Sequence, residues 1–311
     1  MKSSRRNWLV TTGAAIAGSF LLPKGLNALS TMSGKKGAVG IQLYTVRDAM
    51  NKDAEGALRQ IAAIGYKNVE HAGYWKRKFY GRTAVEFRKL LEGLGLNLVS
   101  GHVFIGAEHW DEGRQQFTDE WKYTVEDAVL AGQHYLITPS MDENWRKDYD
   151  TLLKYLEVFN RCGAYCKQQG IKFGYHNHNM EFDTSFHGQR IYDLILRHTD
   201  PALVAQEMDI GNMYAAGGRP LQLFSQYPGR FELLHVRDEI KSPGKGERDQ
   251  GYDSTVLGKG VMPVAEIIAA AAKTGGATQF IVEQESYQER DPLDCAREDL
   301  RFLQNCGLVR R

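Results

Sequence analysis

Hydrophobic and polar positions follow two alternating patterns from Val39 to the end of the chain. Short apolar runs, each as long as one strand, alternate with longer stretches in which apolar residues recur at helical spacing. This alternation predicts a parallel sheet covered by helices. The predicted strands are residues 39–44, 67–72, 97–103, 134–139, 171–176, 203–209, 231–236 and 279–284.

The number of strand and helix pairs selects between two folds with parallel sheets. Eight pairs over about 280 residues fit a single (β/α)8 TIM barrel, which we assign to residues 31–311. A doubly wound open sheet is the alternative, but the chain has neither a G-x-G-x-x-G turn after a strand nor a G-x-x-x-x-G-K-[ST] loop. The glycine-rich stretch 242–260 matches neither pattern, so we expect a long loop over the barrel mouth.

Residues 1–30 have the pattern of a bacterial twin-arginine export signal. Arg5 and Arg6 precede an apolar stretch and a region of small residues near Ala28. The expected location is the periplasm, and the alternative is an uncleaved signal that anchors the protein to the membrane, facing the periplasm. The apolar stretch 8–22 is shorter than the ~20 residues that span a bilayer, so no stable membrane insertion is expected after signal removal.

Composition and charge narrow the class of partner. The chain is 42% hydrophobic and 25% charged, which is typical of a globular protein with a large core. With 39 basic and 38 acidic residues, the net charge of +1 creates no field that would attract nucleic acid. We therefore expect a small-molecule partner and no nucleic acid, and self-association into a homo-oligomer is left open.

The four cysteines do not have the spacing of a zinc site or a disulfide framework. Cys162 and Cys166 lie one helical turn apart, where the Cβ atoms are about 5 to 6 Å from each other and too distant for a disulfide. We predict free thiols at these positions and at Cys295 and Cys306.

Polar residues stand at the ends of most predicted strands, where barrels place their active sites. Any one of them is also typical of a residue that caps a helix or binds a loop. Histidines and carboxylates on successive strands favour a site instead, and the side chains at positions 176 and 178 point to the same face of an extended strand. The candidates are Gln42, Tyr44, Glu70, His71, His102, His176, His178, Asp209, His235 and Glu283.

Several motifs at these strand ends resemble those of the xylose-isomerase-like barrel family of sugar isomerases and epimerases. They are YHNHNMEF, MDIGNMYAAGG, LLHVRDE, LGKGVMPVAEII and FIVEQESY, and the resemblance extends from about residue 39 to residue 303. Within the family, the chain is most similar to the exported branch named sugar phosphate isomerase/epimerase. The resemblance implies a divalent ion held by Asp209, His235, Glu283 and a residue of the fifth strand.

The fifth strand departs from the family pattern. Many relatives have the triplet E-N-H where this chain has H-N-H at residues 176–178. His176 can still bind the ion as a neutral imidazole, and two nitrogen and two carboxylate ligands suit Mn, Fe, Co or Zn better than Mg. We expect Mn as the cofactor and expect His178 to face the substrate.

The resemblance implies removal of a proton from the carbon next to a sugar carbonyl, with the ion stabilising the resulting enediolate. Because the family glutamate that moves a proton is replaced by His176, proton transfer is expected to depend on Glu283. Glu70, Glu181 and Glu207 are alternative bases, and Glu207 is expected to lie one layer deeper than Asp209.

The predicted function is therefore a metal-dependent sugar isomerase or epimerase. The expected catalytic residues are Glu283, His178 and His102, and the expected substrate-binding residues are Glu70, Arg237 and Trp75. An ion pair with Asp238 or Glu239 is the alternative role of Arg237. A lyase or hydratase of keto-sugars or 3-keto-glycosides, and a non-catalytic sugar-binding barrel, are the alternative functions.

Overall fold

The computed structural model describes residues 37–307, and within this range eight parallel strands close into a barrel. Each strand pairs with the next along the chain, and the first pairs with the last, with Ile41 opposite Val282. The single (β/α)8 barrel predicted from the sequence is thus confirmed. The barrel strands are β1 (Ala38–Gln42), β2 (Asn68–His71), β3 (Asn97–His102), β4 (Tyr135–Thr138), β5 (Lys172–His176), β6 (Val204–Asp209), β7 (Phe231–Val236) and β8 (Gln279–Val282).

Helices surround this barrel between its strands. Helix α2 begins with a capping box, in which the Thr83 hydroxyl accepts from the Glu86 backbone N–H and the Glu86 carboxylate accepts from the Thr83 N–H. Helix α1 ends at Gly65, whose φ of 119° is accessible to glycine at low cost. The helices are α1 (Arg47–Ile64), α2 (Ala84–Gly93), α3 (Asp119–Ala131), α4 (Tyr149–Gln168), α5 (Met180–Asp183), α6 (Ile191–His198), α7 (Ile210–Ala215), α8 (Pro220–Gln226), α9 (Val264–Ala270) and α10 (Pro292–Asn305).

The interior of the barrel changes from apolar to polar along its axis. Side chains two positions apart on a strand share a face. A residue two positions after an inward-pointing apolar residue therefore also points inward. On β7, Leu233 is followed in this way by His235, and on β8, Ile281 is followed by Glu283. The apolar part is a small buried cluster separate from the main core, made of Ile137, Ala205, Leu233 and Ile281.

Four two-stranded hairpins follow barrel strands at the mouth. The glycine-rich stretch was predicted as a long loop, but Asp238–Lys241 pairs with Tyr252–Thr255 in an antiparallel hairpin. The prediction failed because the two strands of this hairpin are separated by a glycine-rich turn that hides the pairing from the sequence pattern. The other hairpins are Tyr74–Trp75 with Lys78–Phe79, Trp110–Asp111 with Gln116–Phe117, and Ser185–Phe186 with Gln189–Arg190.

The prediction of free thiols is confirmed. Cys162, Cys166 and Cys295 are buried, Cys306 is exposed, and none of the four forms a disulfide. The predicted export signal, residues 1–30, lies outside the described residues. No helix within residues 37–307 is long and apolar enough to cross a bilayer.

Asp299 on α10 carries a carboxyl group that is buried outside the barrel interior. Asp299 accepts a hydrogen bond from the Leu257 backbone N–H at 2.8 Å through Oδ1, whereas its Oδ2 has no hydrogen-bond partner among the described residues. Burial raises the pKa of Asp299 to about 7. The folded protein therefore holds a proton on this group at pH values where an unfolded aspartate has lost it.

We expect Asp299→Asn to remove a pH dependence of stability between about pH 4 and pH 7. In this window the folded wild type keeps the proton and the unfolded chain does not, so wild-type stability falls as pH rises. The unfolding free energy of the variant minus that of wild type, both measured in urea, should therefore increase steadily from pH 4 to pH 7 and stay constant above pH 7. The exposed Asp294→Asn on the same helix is the control. A difference for Asp299→Asn that does not change with pH would contradict this assignment.

Candidate metal centre

Asp209 is held in place by the start of a helix. It is the last residue of β6 and the N-cap of α7, where its Oδ1 accepts from the Asn212 backbone N–H at 2.8 Å and its Oδ2 accepts from the Asn212 side chain at 2.9 Å. The Asn177 side chain also accepts a hydrogen bond from the Asp209 backbone N–H at 3.0 Å and donates one to the Asp209 carbonyl oxygen at 3.1 Å. The carboxylate thus has a fixed orientation before any ligand binds.

The four predicted metal ligands converge at the barrel mouth. Their ligand atoms all lie within 4.8 Å of one another, and all four side chains are buried. His176 Nε2 lies 3.9 Å from Asp209 Oδ2, and His235 Nδ1 lies 3.1 Å from Glu283 Oε2. A tetrahedral ion with ligands at about 2.1 Å would separate neighbouring ligand atoms by about 3.4 Å, so small adjustments suffice to hold one. This donor set, two imidazoles and two carboxylates, fits a first-row divalent ion.

A second layer of carboxylates lies beneath these ligands. Glu70 on β2 and Glu207 on β6 are fully buried. Glu70 Oε1 is 2.7 Å from His235 Nε2, and Glu207 Oε2 is 3.1 Å from His176 Nδ1. As expected from the sequence, Glu207 occupies the position below Asp209 on the inward face of the same strand.

His102 neutralises this second layer. Its Nε2 lies 2.7 Å from Glu207 and 3.1 Å from Glu70. Burial opposes protonation of His102, but the two carboxylates outweigh it and raise the pKa of the imidazole to about 10. In return, although burial disfavours its charge, His102 and His235 hold the pKa of Glu70 well below its usual range. Burial and the charge on Glu70 raise the pKa of Glu207 to about 7.

All three predicted catalytic residues, Glu283, His178 and His102, line a cavity above the centre. Although burial opposes ionisation, His235 and Arg237 hold the pKa of Glu283 well below its usual range, so Glu283 is a carboxylate. Burial, reinforced by Arg248, lowers the pKa of His178 to about 3, so this imidazole is neutral. Its Nδ1 has no hydrogen-bond partner among the described residues.

The cavity has a volume of about 700 Å³ and opens at the mouth of the barrel. One wall is aromatic, with Tyr44, Tyr74, Trp75 and Phe104, and the side chain of Trp75 is 73% exposed. Trp110, which follows the third strand, packs in the core against Phe117 and does not belong to this wall. Exposed aromatic surface at a cavity mouth is available for packing against a ligand ring.

Two residues predicted to bind substrate lie below the cavity wall and do not line it. Glu70 belongs to the carboxylate layer described above. Arg237 is buried and pairs with several carboxylates, among them Glu247 at 2.7 Å and Glu285 at 2.8 Å. Its contact with Glu239, at 3.3 Å, is the ion pair considered from the sequence, whereas Asp238 caps backbone N–H groups of residues 258–262. We therefore assign no substrate contact to either residue.

Sequence reasoning missed Arg248, which lines the cavity from the glycine-rich hairpin. Its guanidinium pairs with Glu285 at 2.5 Å and donates to Asn212 at 2.8 Å. No sequence signal marks it, because it lies far along the chain from the strand end that precedes it. Of the alternative bases, Glu181 accepts from the Tyr175 hydroxyl and the His178 backbone N–H and does not line the cavity.

Comparisons with known proteins agree with this fold. The sequence profile of a family described as xylose isomerase-like TIM barrel matches residues 58–306. An inosose dehydratase of Bacillus licheniformis is 24% identical over 262 residues, which cover 77% of this chain and 83% of that protein. Two structures from Parabacteroides distasonis, each described as a sugar phosphate isomerase/epimerase, superpose with TM-scores of 0.74 and 0.73. They are 24% and 27% identical and cover 92% and 88% of this chain, and 99% and 100% of their own.

We expect His235→Ala to lower metal affinity and also to destabilise the metal-free fold, because the buried imidazole is both a proposed ligand and the partner of Glu70, Glu207 and Glu283. The loss of metal affinity should exceed the 10 to about 100-fold loss that follows removal of a residue hydrogen-bonded to a metal ligand. Metal content by mass spectrometry and the dissociation constant for Mn²⁺ measure the first effect, and urea unfolding of the metal-free protein measures the second. His134→Ala, at the exposed opposite end of the barrel, is the control. Full metal retention in His235→Ala would rule out this ligand.

Proposed function

Because the chain belongs to the xylose isomerase-like TIM barrel family, we propose that it is a metal-dependent enzyme acting on a sugar that carries a carbonyl group. The first step would remove a proton from the carbon next to the carbonyl, and loss of a hydroxyl from the following carbon would release water. The protein would thus be a lyase of the dehydratase type. The observation that carries this proposal is that Glu283 is the one carboxylate of the metal-ligand set that lines the cavity.

Because Glu283 is the single carboxylate of the ligand set that lines the cavity, elimination is favoured over epimerisation. Epimerisation through two bases requires one proton-transfer group on each face of the reacting carbon, whereas elimination can proceed with one. The family glutamate of β5 is replaced by His176, and Asp209 is occupied by its bonds to Asn212. Only Glu283 is then left in the ligand set to move the proton.

The proposed step balances within the substrate and one side chain. Glu283 accepts the proton as the carbon–hydrogen bond breaks, and the electron pair forms a carbon–carbon double bond while the carbon–oxygen bond of the leaving hydroxyl breaks. The proton on Glu283 then completes the water molecule, which restores the carboxylate. A divalent ion on the four ligands would polarise the carbonyl and stabilise the developing negative charge.

Two histidines would orient the substrate around Glu283. The unpaired Nδ1 of His178 is available to a hydroxyl group, and its neutral ring can either donate or accept. The cation on His102 lines the same cavity and adds positive charge next to the reacting atoms. We therefore propose both as catalytic residues, with His178 positioning the substrate and His102 stabilising negative charge.

The aromatic wall supports a sugar ring as the ligand. A cavity of about 700 Å³ exceeds what a single six-membered ring fills, so sugars with a glycosidic substituent belong in the substrate panel. Trp75 on its hairpin would pack against one ring face. The relatives support sugar-like substrates through their names, which include a dehydratase of inosose and sugar phosphate isomerases/epimerases.

Isomerisation or epimerisation is the second candidate function. It is favoured by the 27% identical structure described as a sugar phosphate isomerase/epimerase, and it begins with the same proton removal. The two candidates differ in the product, because elimination releases water and forms a double bond, whereas isomerisation conserves the formula of the substrate. Mass spectrometry of the product distinguishes them directly.

We expect Glu283→Gln to abolish nearly all turnover, because removal of a general acid or base typically costs ~10² to 10⁴ in rate. The measurement is a screen of keto-sugars and keto-glycosides with the Mn²⁺-loaded protein in heavy water, followed by NMR and mass spectrometry. Wild type should place deuterium on the carbon next to the carbonyl of returned substrate or give a product lighter by one water. Metal content is measured in parallel, because Glu283 is also a proposed ligand.

Glu120→Gln, a cavity-lining carboxylate outside the ligand set, is the matched control and should keep activity within a few-fold. A Glu283→Gln variant within a few-fold of wild type would remove Glu283 from this role. If fully metal-loaded wild type exchanges no proton and turns over no sugar, the protein is a sugar-binding barrel rather than an enzyme.

We also propose that residues 1–30 export the folded protein to the periplasm. The paired arginines Arg5 and Arg6 support this, since the twin-arginine route carries folded proteins and would allow the ion to be loaded before export. Replacing both arginines with lysine should leave the protein in the cytoplasm, as measured by cell fractionation. Export at the wild-type level by this variant would reject the proposal.

A further inference from the structure

We propose that Glu70 and Glu207 are positioning residues that fix which ring nitrogen each metal-binding histidine offers to the ion. The inference rests on the metal centre of the proposed function. It gives these two carboxylates a role without substrate contact, which agrees with their complete burial beneath the cavity. They would act from below, through the histidines alone.

Glu70 is held by three partners in addition to His102. Its Oε1 accepts from the Gln42 side chain at 2.7 Å and lies 2.7 Å from His235 Nε2, and its Oε2 accepts from the Ser100 hydroxyl. A carboxylate in this position binds the tautomer of His235 that carries hydrogen on Nε2. The other nitrogen, Nδ1, faces Glu283 Oε2 at 3.1 Å, so a divalent ion bound there would displace any hydrogen on Nδ1 and take its lone pair.

Glu207 has the corresponding relation to His176, with the two ring nitrogens exchanged. Its Oε2 lies 3.1 Å from His176 Nδ1, so hydrogen on Nδ1 leaves Nε2 as the ligand atom. That Nε2 faces Asp209 Oδ2 at 3.9 Å. Both histidines therefore present a lone pair upward to the ligand set while an N–H group points down to a buried carboxylate, an arrangement that raises the basicity of ligating imidazoles.

The lower layer offers a competing interpretation, because a second ion would also find ligands there. His102, His176, Glu207 and His235 have ligand atoms within 4.8 Å of one another. This second ion would need the ring nitrogens that face Glu70 and Glu207, and each histidine would then have to bridge two ions. The ring nitrogens of His102, His176 and His235 lie 2.7, 3.1 and 3.3 Å from Glu207 Oε2. Hydrogen bonds account for these distances without a second ion.

The test compares metal binding by Glu70→Gln, Glu70→Ala and Glu207→Gln with wild type. We expect the dissociation constant for Co²⁺ to rise by about 10 to 100-fold in the Gln variants, with a larger rise in Glu70→Ala because glutamine keeps an acceptor oxygen. The absorption spectrum of bound Co²⁺ should shift, because the ring orientation changes. Glu232→Gln, a glutamate near the start of β7 that pairs with Lys172, is the control and should bind Co²⁺ like wild type.

Urea unfolding of the metal-free proteins separates positioning from folding, and Glu70→Gln carries the test if Glu207→Gln does not fold. A Co²⁺ affinity within two-fold of wild type in the folded Gln variants would overturn the proposal, as would two tightly bound ions per wild-type chain. Failure of the proposed function gives a different result. In that case no proton exchange or turnover is found, while the Co²⁺ affinities of the variants still differ as expected.

Discussion

Compensation of charge inside the barrel mouth is the constraint on which the site depends. Four carboxylates, those of Glu70, Glu207, Asp209 and Glu283, share a region of the interior that water barely reaches. Removing one partner from a buried ion pair typically costs 3–5 kcal/mol, because the remaining charge is left without compensation. Each carboxylate accordingly meets an imidazole or the Arg237 guanidinium. The site is therefore one electrically coupled unit rather than a set of independent ligands.

This charged unit is compatible with a stable fold because the barrel interior is polar at the mouth and apolar below it. The apolar cluster below the carboxylate layer contains no ionisable group, and it packs as an ordinary core. Above it, Arg237 connects the mouth to its surroundings, since its partners come from β6, from the hairpin after β7 and from the segment after β8. The hairpin is thus bound to the site by charge as well as by its backbone.

The sequence was sufficient for the eight strands and for the meeting of polar strand-end residues at one mouth, whereas the choice of four ligands among those residues came from the resemblance to the family. Strands of a parallel barrel are buried on both faces, so they stand out as solid apolar runs, and their carboxyl ends must meet at one mouth. Glu207 was expected one layer below Asp209, but the contacts of Glu70 and Glu207 with the histidines and the position of Arg248 could not be predicted in this way. They depend on side-chain rotamers and on the path of a glycine-rich hairpin, and neither leaves a periodic signal.

The histidine at position 176 constrains how this site can change in evolution, because Glu207 lies directly beneath it. A glutamate at 176, which the family resemblance leads one to expect, would place a carboxylate next to Glu207, where an imidazole now lies 3.1 Å away. Restoring the relatives' residue in this chain would therefore cost electrostatic energy that it does not cost in a protein whose lower layer is neutral. Positions 176 and 207 are expected to be epistatic, so that a change of metal ligand and a change in the residue beneath it have to be inherited together.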